Sequence, residues 1–300
     1  MKSDLIAAIE AGGTKFNCAV GTGPDDIRMR TRIETTDPTE TLREVFAFLD
    51  QASKQVGKFS AIGVGSFGPV DLNRSSDTYG YITTTPKPGW KYTDLLGSLG
   101  EIFHVPVGFD TDVNAAALGE YTWGHGRACE PLIYITVGTG IGGGVLINGK
   151  PLHGALHPEI GHLLIPAIMS DAPEPDGICP YHGSCLEGLI SGPAIAARWG
   201  FPAETYAPDH ACWGEFSTLM ALGLSNLILT LSPQRIILGG GVMHQYHLFP
   251  MIREEVQRLL NGYIQTRELI EDIESYITSP GLGDDSGLLG AMALGIGALK

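Results

Sequence analysis

The chain of 300 residues is 43% hydrophobic and 17% charged, which is typical of an ordinary folded protein and leaves room for two domains with a core each. Lys and Arg number 19 against 33 Asp and Glu, so the formal net charge is −14. Because such a field repels a phosphate backbone and no basic cluster interrupts it, we exclude nucleic acid as a partner.

The cysteines and the apolar segments bear on the compartment. Five cysteines, an odd number scattered over a long chain, argue against a disulfide framework and favour a reducing environment. Asp4 and Glu10 interrupt the N-terminal segment where a secretion signal needs an unbroken apolar core. The longest uncharged run, 216–234, contains six Ser, Thr and Asn residues and does not predict a membrane span. We therefore expect a cytoplasmic protein with no membrane partner.

Segments 5–20 and 132–147 share one pattern, in which a glycine-rich turn separates two apolar runs. This pattern predicts strand, turn and strand, and its recurrence in two halves of the chain indicates a duplicated domain. Two such turns facing each other would hold the phosphates of one nucleotide through backbone N–H groups, whereas the alternative is a plain flexible hairpin. The turn residues are Gly12, Gly13, Thr14 and Lys15 in the first segment and Gly138, Thr139 and Gly140 in the second.

Residues 38–56 predict an amphipathic helix, with Thr39 as the candidate N-cap. A buried strand at 61–64 follows and ends in a glycine-rich segment that contains Gly68. Farther on, a Thr/Pro/Gly loop ends in Trp90. Either this is a substrate loop whose Trp90 packs against a sugar or another chain element, or it is an ordinary surface loop pinned by Trp90.

Acidic residues lie where a predicted strand at 105–109 gives way to the helix-forming run 115–120. In α/β sheets, ligands collect at this edge. Asp112 is therefore a candidate for chemistry. Asp is also a good N-cap, and the neighbouring Asp110 leaves room for both roles.

The spacing Cys179-x2-His182-x2-Cys185 places three metal ligands within seven residues, and His162 lies upstream as a fourth. Thiolate and imidazole together select zinc over magnesium or calcium, and four protein ligands make a closed structural site. A coincidental grouping is the alternative. The histidine five residues before His162 does not fit the metalloprotease motif H-E-x-x-H, which leaves Glu159 for another role.

The remaining chain predicts further helices and strands in alternation. A core-facing helix runs from Met220 to Leu231, and a strand at 236–238 enters a run of three glycines. A helix at 249–260 and a small-residue helix at 288–299 complete the chain.

These segments together resemble the ROK group of sugar kinases, within the actin-like ATPase superfamily, and most closely its zinc-containing fructokinase branch. The likeness runs essentially end to end. It rests on both glycine turns, the run 112–120, the E-x-G-H motif at 159–162, the Cys/His cluster ending in Glu187, Ser191-Gly192-Pro193, and the glycine segments 239–241 and 280–290.

The resemblance implies an α/β fold of two similar actin-like ATPase domains, of the ribonuclease H-like type, with a cleft between them. We expect an N-terminal domain of residues 1–115, completed by the C-terminal helix at about 286–300. The C-terminal domain is expected at 116–285, with a zinc-binding insertion at 153–187.

The resemblance also implies roles for individual residues. Asp112 is expected to act as the general base that takes the proton from the sugar hydroxyl. The implied substrate-binding residues are Gly68, Asn114, Glu159, His162 and Glu187. The implied ATP-binding residues are Gly12, Gly13, Thr14, Lys15, Gly138, Thr139, Gly140, Gly192, Pro193, Gly239, Gly240 and Gly241. The implied ligands of a structural Zn²⁺ are His162, Cys179, His182 and Cys185, and ATP is expected with Mg²⁺ across the glycine turns.

Three departures from the family pattern are shared with the fructokinase branch. Glu10 stands where many relatives have Asp, Thr111 replaces the Asn before Asp112, and the zinc spacing differs from the usual three-cysteine pattern. We therefore expect ATP-dependent phosphorylation of a hexose, foremost D-fructose to fructose 6-phosphate. The alternatives are a glucose or mannose kinase and, from a different class, a non-catalytic sugar-sensing protein.

Two further expectations concern partners. The repressor branch of the family carries an N-terminal helix-turn-helix domain, and the first glycine turn begins too early in this sequence to leave room for one. Members of the family are commonly dimers, so the resemblance implies a homodimer.

Overall fold

The computed structural model describes residues 4–166, 168–174 and 176–300. The chain divides into unit 1, which holds Met1–Arg127, Gly149–His157 and Asp284–Lys300, and unit 2, which holds Ala128–Asn148 and Pro158–Gly283. The domain boundary expected at residue 115 therefore falls inside unit 1, and so does the start of the expected zinc insertion.

The strands and helices have the following bounds. The strands are β1 (Ile6–Ala11), β2 (Lys15–Gly23), β3 (Asp26–Glu34), β4 (Ala61–Ser66), β5 (Tyr81–Ile82), β6 (Thr93–Asp94), β7 (Val107–Thr111), β8 (Leu132–Val137), β9 (Ile141–Ile147), β10 (Lys150–Pro151), β11 (Arg235–Gly239) and β12 (Ile277–Thr278). The helices are α1 (Pro38–Val56), α2 (Leu95–Phe103), α3 (Asp112–Trp123), α4 (Leu186–Ile190), α5 (Gly192–Trp199), α6 (Ala211–Leu231), α7 (Leu248–Leu260), α8 (Arg267–Ile270), α9 (Ile273–Tyr276) and α10 (Ser286–Gly297).

Each unit is built on one mixed sheet. In unit 1 the strand order is β3-β2-β1-β4-β7, with β2 antiparallel to both neighbours and β4 parallel to β1 and β7. In unit 2 the order β9-β8-β11-β12 repeats the connectivity, since β9 is antiparallel to β8 and β11 is parallel to β8 and β12. The repeat agrees with the duplication that the two glycine patterns indicate.

Helix α1 covers one face of the unit 1 sheet, and its N-cap differs from the prediction. The Asp37 carboxylate accepts hydrogen bonds from the backbone N–H groups of Thr39 at 2.9 Å and Glu40 at 3.1 Å. A side chain at the position before a helix reaches these free N–H groups, whereas Thr39 already lies inside the first turn. Thr39 is therefore not the cap.

Trp90 belongs to the same core. Its ring is fully buried against Phe16 and Phe67, and its Nε1 donates a hydrogen bond to the Thr36 carbonyl at 2.8 Å. A buried indole N–H needs such a partner. The Trp90 ring therefore packs against other parts of the chain and is not available to a sugar.

Helix α10 covers the opposite face of the unit 1 sheet through small residues. A Cβ on Gly63 of β4 would lie 1.7 Å from the Ala291 carbonyl oxygen of α10, and Gly108 of β7 meets the same helix in the same way. A Cβ on Gly290 of α10 would meet the backbone of α3 just as closely. Only glycine permits backbone to approach so closely, so the C-terminal helix forms an integral part of the unit 1 core.

Helix α6 is the long core helix of unit 2. It begins at Ala211, earlier than predicted, and ends at Leu231, after which Ser232 adopts the left-handed conformation before Pro233. Its length and mean hydropathy of 1.3 would by themselves permit a membrane span, but 61% of its most apolar window is buried inside the protein. A mostly buried helix of this kind is what the core of a folded domain requires.

Candidate functional site

The first glycine turn joins β1 to β2 and is braced by Thr35. Within the turn, the Gly12 N–H donates to the Lys15 carbonyl at 2.9 Å. The Thr35 hydroxyl donates to the Gly12 carbonyl at 2.8 Å, and the Thr35 N–H donates to the Thr14 carbonyl at 3.0 Å. The Lys87 ammonium in turn donates to the Thr35 carbonyl at 3.0 Å. The turn predicted to bind phosphate is therefore held from outside, by residues that its own sequence does not indicate.

Asp112 is the first residue of α3, directly after the end of β7. Thr111 caps the helix, because its hydroxyl accepts from the Asn114 N–H at 3.1 Å, and this releases Asp112 from the capping role. The Asp112 Oδ1 accepts from the Val113 N–H at 2.9 Å. Removal from water raises the pKa of Asp112 from 3.8 to about 6, against the opposing effect of that hydrogen bond. The carboxylate is thus poised near neutral pH.

Asp110 and Asn114 form a buried polar group beside Asp112. The Asp110 Oδ1 accepts from the Thr111 N–H at 2.8 Å and from the Asn114 side-chain amide at 2.7 Å. Its Oδ2 lies 3.0 Å from Nε2 of His153, and this contact raises the pKa of His153. The Asn114 amide oxygen is buried and has no hydrogen-bond partner within the described residues. Sequence reasoning singled out Asn114 but missed His153, for which the only signal was the histidine-rich run that precedes the E-x-G-H motif.

Glu10 is the last polar residue of β1. Its carboxylate accepts from the Asn17 side-chain amide at 2.6 Å. Burial raises the pKa of Glu10, the Asn17 hydrogen bond opposes that rise, and the negative charge of Asp112 adds to it. The Glu10 carboxylate is an oxygen ligand of the kind that Mg²⁺ prefers.

Gly68 lies in the loop after β4, under a histidine ring. His157 is buried, and its Nε2 accepts from the Val70 backbone N–H at 3.3 Å. A Cβ on Gly68 would stand 3.6 Å from the His157 ring and 3.2 Å from the Val70 nitrogen. The segment 149–157 therefore fixes two places in unit 1 that the family pattern assigns to the sugar, this loop and the end of β7.

In unit 2, the second glycine turn borders a cavity of about 600 Å³. The size lies in the range of small-molecule sites. The cavity is lined by five of the predicted ATP-binding residues, Gly138, Thr139, Gly192, Pro193 and Gly241. Further lining residues that sequence reasoning missed are Ala196, Pro202, Ala203, Glu204, Val242 and Gln245, which lie in α5 and in or directly beside two short 3-10 turns.

Gly239 and Gly240 are not among the lining residues and pack against the strand β8. A Cβ on Gly239 would lie 2.5 Å from the Tyr134 hydroxyl, and one on Gly240 would lie 2.5 Å from the Val137 carbonyl. Gly240 also has a φ of 90°, which favours glycine. Their glycine requirement has this packing explanation, so it is no evidence of contact with nucleotide.

The predicted sugar residues of unit 2 gather near the second turn. Glu187, in α4, accepts from the Ile141 backbone N–H at 2.9 Å through Oε2. Glu159 precedes the 3-10 turn Ile160–His162. In that turn a Cβ on Gly161 would lie 1.9 Å from the Ile141 carbonyl, so the E-x-G-H motif packs directly on the start of β9.

The four predicted metal ligands come together. Their ligand atoms all lie within 4.8 Å of one another. The His162 Nδ1 is 3.5 Å from the Cys185 sulfur and 3.9 Å from the Cys179 sulfur, which is 3.7 Å from the His182 Nδ1. Tetrahedral zinc with Zn–S of about 2.3 Å and Zn–N of about 2.0–2.1 Å requires N–S separations of about 3.5–3.6 Å, so the donor set and its spacing fit zinc.

A buried ion pair supports this part of unit 2. Arg198 of α5 donates to the Leu189 carbonyl at 3.0 Å and to the Glu215 carboxylate of α6. Both side chains are almost fully buried. Breaking such a pair leaves an uncompensated charge in the interior, so Arg198 and Glu215 act together to join α4, α5 and α6.

The repeated sheets and the glycine turn at equivalent places of each unit define the class of α/β proteins with a two-domain actin-like ATPase fold. The ROK family model matches residues 6–297, and the chain belongs to the ROK family.

Known proteins resemble the chain over its whole length. A fructokinase of Zymomonas mobilis is 43% identical over 305 residues, which cover 99% of both chains. One from Pediococcus pentosaceus is 42% identical over 296 residues, again 99% of each chain. The solved structure of a ROK family glucokinase from Streptomyces griseus in complex with glucose and AMPPNP is 25% identical with a TM-score of 0.75, covering 98% of this chain and 99% of that one.

Proposed function

We propose that the protein is an ATP:hexose 6-phosphotransferase that converts D-fructose to fructose 6-phosphate. The observation that carries this is the full-length identity of 42–43% to two fructokinases, against 25% to a glucokinase. The same chain keeps the groups that phosphoryl transfer needs, namely glycine turns, a cavity and a carboxylate poised near neutral pH. These groups distinguish a kinase from a sugar-sensing protein that has lost catalysis.

Asp112 acts as the general base and takes the proton from the hexose hydroxyl. The backbone N–H groups of the turns at Gly12–Lys15 and Gly138–Gly140 bind phosphate oxygens, and the cavity of unit 2 takes the nucleoside. Glu10 is the residue that would hold Mg²⁺, which would neutralise phosphate charge. Catalysis by this set is mostly positioning and charge stabilisation, with the base contributing about 10²–10⁴-fold.

The hexose hydroxyls pair with polar groups of the predicted substrate-binding residues. The buried Asn114 amide oxygen, which lacks a partner within the described chain, accepts from one hydroxyl. Glu159 and Glu187 supply carboxylate acceptors, and Gly68 allows the sugar to approach the backbone. His162 turns Nδ1 toward the two cysteine sulfurs, so its Nε2 is the nitrogen that orients a hydroxyl.

We also propose a structural Zn²⁺ held by His162, Cys179, His182 and Cys185. Four protein ligands leave no open coordination position for catalysis, so the metal orders the segment that leads into α4. The protein is further proposed to be a cytoplasmic homodimer, as expected for its family, and the dimer is checked by light scattering during gel filtration.

A coupled assay of ADP release tests the function. Fructose, glucose, mannose and N-acetylated hexoses are compared at equal concentration, and the highest kcat/KM is expected for fructose. A higher value for glucose or mannose would favour the neighbouring kinase activity. Hexose binding without ADP release from any sugar would favour the sensor.

The pH dependence of kcat/KM is a separate prediction. A base must be deprotonated to act, and the pKa of Asp112 is raised to about 6, so activity is lost as pH falls through that value. We expect kcat/KM for fructose to be half-maximal near pH 6 and to fall about tenfold per unit below it. A profile that stays flat down to pH 4.5 would contradict the assignment, since an ordinary Asp titrates near 3.9.

A further inference from the structure

We propose that Glu187 is a positioning residue for the second glycine turn, in addition to being a hexose ligand. Its carboxylate holds the Ile141 N–H, and this keeps Gly138–Gly140 in the conformation that binds phosphate before any hexose arrives. The inference rests on the proposed function only in assigning nucleotide to this turn.

The hydrogen bond between the Ile141 N–H and the Glu187 carboxylate lies at the exit of the turn. Ile141 is the residue at which the turn ends and β9 begins, and its N–H lies 2.9 Å from Glu187 Oε2. At the other end of the turn, the Gly138 N–H is occupied by the Gly140 carbonyl at 2.9 Å. A hydrogen bond to an ionised acceptor is about twice as strong as a neutral one, so the carboxylate fixes the exit of the turn.

Gly140, inside the turn, packs closely against the Glu187 carboxylate. A Cβ built there would lie 2.7 Å from Glu187 Oε2 and 3.5 Å from its carboxyl carbon, and it would meet no other described atom within 4 Å. No positive φ requires glycine at this position. Among the described atoms, a side chain at position 140 would therefore meet only the flexible end of Glu187, so the close contact of Gly140 is with Glu187 alone.

Residues of α4 and α5 hold the second glycine turn at both of its ends. The Gly192 N–H donates to the Gly138 carbonyl at 2.8 Å, while the Ser191 N–H donates to the Glu187 carbonyl at 3.1 Å. Cys185, a ligand of the proposed metal cluster, is the residue immediately before α4. The cluster thus fixes the start of α4, and α4 fixes the turn.

The Glu187 carboxylate can accept hydrogen bonds from two different partners. Among residues 4–166, 168–174 and 176–300, Ile141 is its one hydrogen-bond donor, and that bond uses Oε2. Oε1 remains for a hexose hydroxyl. A single carboxylate that contacts both the sugar and the phosphate turn couples the two binding events, so hexose binding and nucleotide binding are expected to strengthen each other reciprocally.

Measuring nucleotide binding without hexose distinguishes the role of Glu187 in positioning the turn from its contact with the sugar. Kd for a fluorescent N-methylanthraniloyl-ATP with Mg²⁺ is measured for the wild type, Glu187→Ala and Glu187→Gln. Glu187→Ala is expected to weaken binding about tenfold, because the Ile141 N–H loses a charged acceptor. Glu187→Gln keeps a carbonyl acceptor and is expected to stay within about threefold. Both variants raise KM for fructose.

The outcomes are distinct. Unchanged nucleotide binding in Glu187→Ala, together with a raised fructose KM, would reduce Glu187 to a sugar ligand and overturn the inference. Failure of the wild type to bind nucleotide would instead refute the proposed function. Glu254→Gln on the exposed surface of α7 is the matched control and is expected to match the wild type in both measurements.

A double-mutant cycle tests the contact directly. Gly140→Ala is expected to weaken nucleotide binding in the wild type and to have little further effect once Glu187 is Ala, because the side chain that it would meet is gone. Strictly additive effects would contradict the contact. If Glu187→Ala does not fold, Glu187→Met fills the same volume, and hydrogen exchange of the Ile141 amide carries the test: faster exchange supports the inference and unchanged exchange overturns it.

Discussion

Replacing Asp112 by Asn is expected to lower kcat for fructose phosphorylation by about 10²–10⁴-fold while fructose binding changes little. The Asn side chain keeps the shape at the start of α3 and can still accept from the Val113 N–H, but it cannot take a proton. The measurement is kcat from coupled ADP release, with the fructose Kd from calorimetry.

Asp50→Asn is the control for this prediction, because Asp50 is an exposed residue of α1 whose partner is Lys54, four residues along the same helix. Such a pair contributes only about 0.3–0.5 kcal/mol, and the variant is expected to keep the wild-type kcat. Unchanged turnover in Asp112→Asn would contradict the assignment of Asp112 as the general base. A variant that also fails to bind fructose would point to an additional role in holding the sugar.

Removing the zinc ligands is expected to have the second large effect. The purified protein should contain about one Zn²⁺ per chain, and Cys185→Ala should contain almost none. Structural zinc contributes about 10–16 kcal/mol in small peptide sites. Even a loss of about 5 kcal/mol lowers Tm by about 8 °C in a protein of 300 residues. Metal content is measured by mass spectrometry and Tm by calorimetry.

Cys212→Ala provides the comparison, since Cys212 is buried in α6 and is not one of the four clustered ligands. It is expected to retain zinc and to lower Tm by only a few degrees. Zinc content that stays at one equivalent in Cys185→Ala would show that the cluster does not bind the metal through this thiolate. In that case the grouping of the four side chains would be coincidental.

The sheets were largely predictable because their strands are buried on both faces. Continuous apolar runs such as those of β1 and β8 indicate strands without any knowledge of their neighbours. The strand β3 was missed, although its alternation of partly buried residues with exposed charged ones is the period-two pattern of a half-buried strand. The N-cap of α1 was placed two residues late. Thr39 and Asp37 both suit a cap, and the signal in favour of Asp37 was Pro38, because Pro favours the first helical position.

The site was predictable where chemistry depends on residue type and spacing. The Cys/His cluster came from sequence spacing, and Asp112 came from its place at the end of a strand. The roles of His153 and Thr35 were not predictable, because each acts through contacts between residues far apart in sequence, with Asp110 and with the carbonyls of the first turn. No periodicity or motif records such contacts.

Unit 1 is completed only when α10 has been made, and this has a consequence for synthesis on the ribosome. After Arg127, residues 128–283 include all of unit 2, so at about 5–20 residues per second their translation takes roughly 8–30 s. During that interval Ile6, Ala8 and Ala61, which α10 later covers, remain accessible on the nascent chain. A ribosome-bound chaperone that shields apolar surface would therefore act chiefly on the first-made part of this polypeptide, and a message truncated before α10 would yield a chain with that surface permanently open.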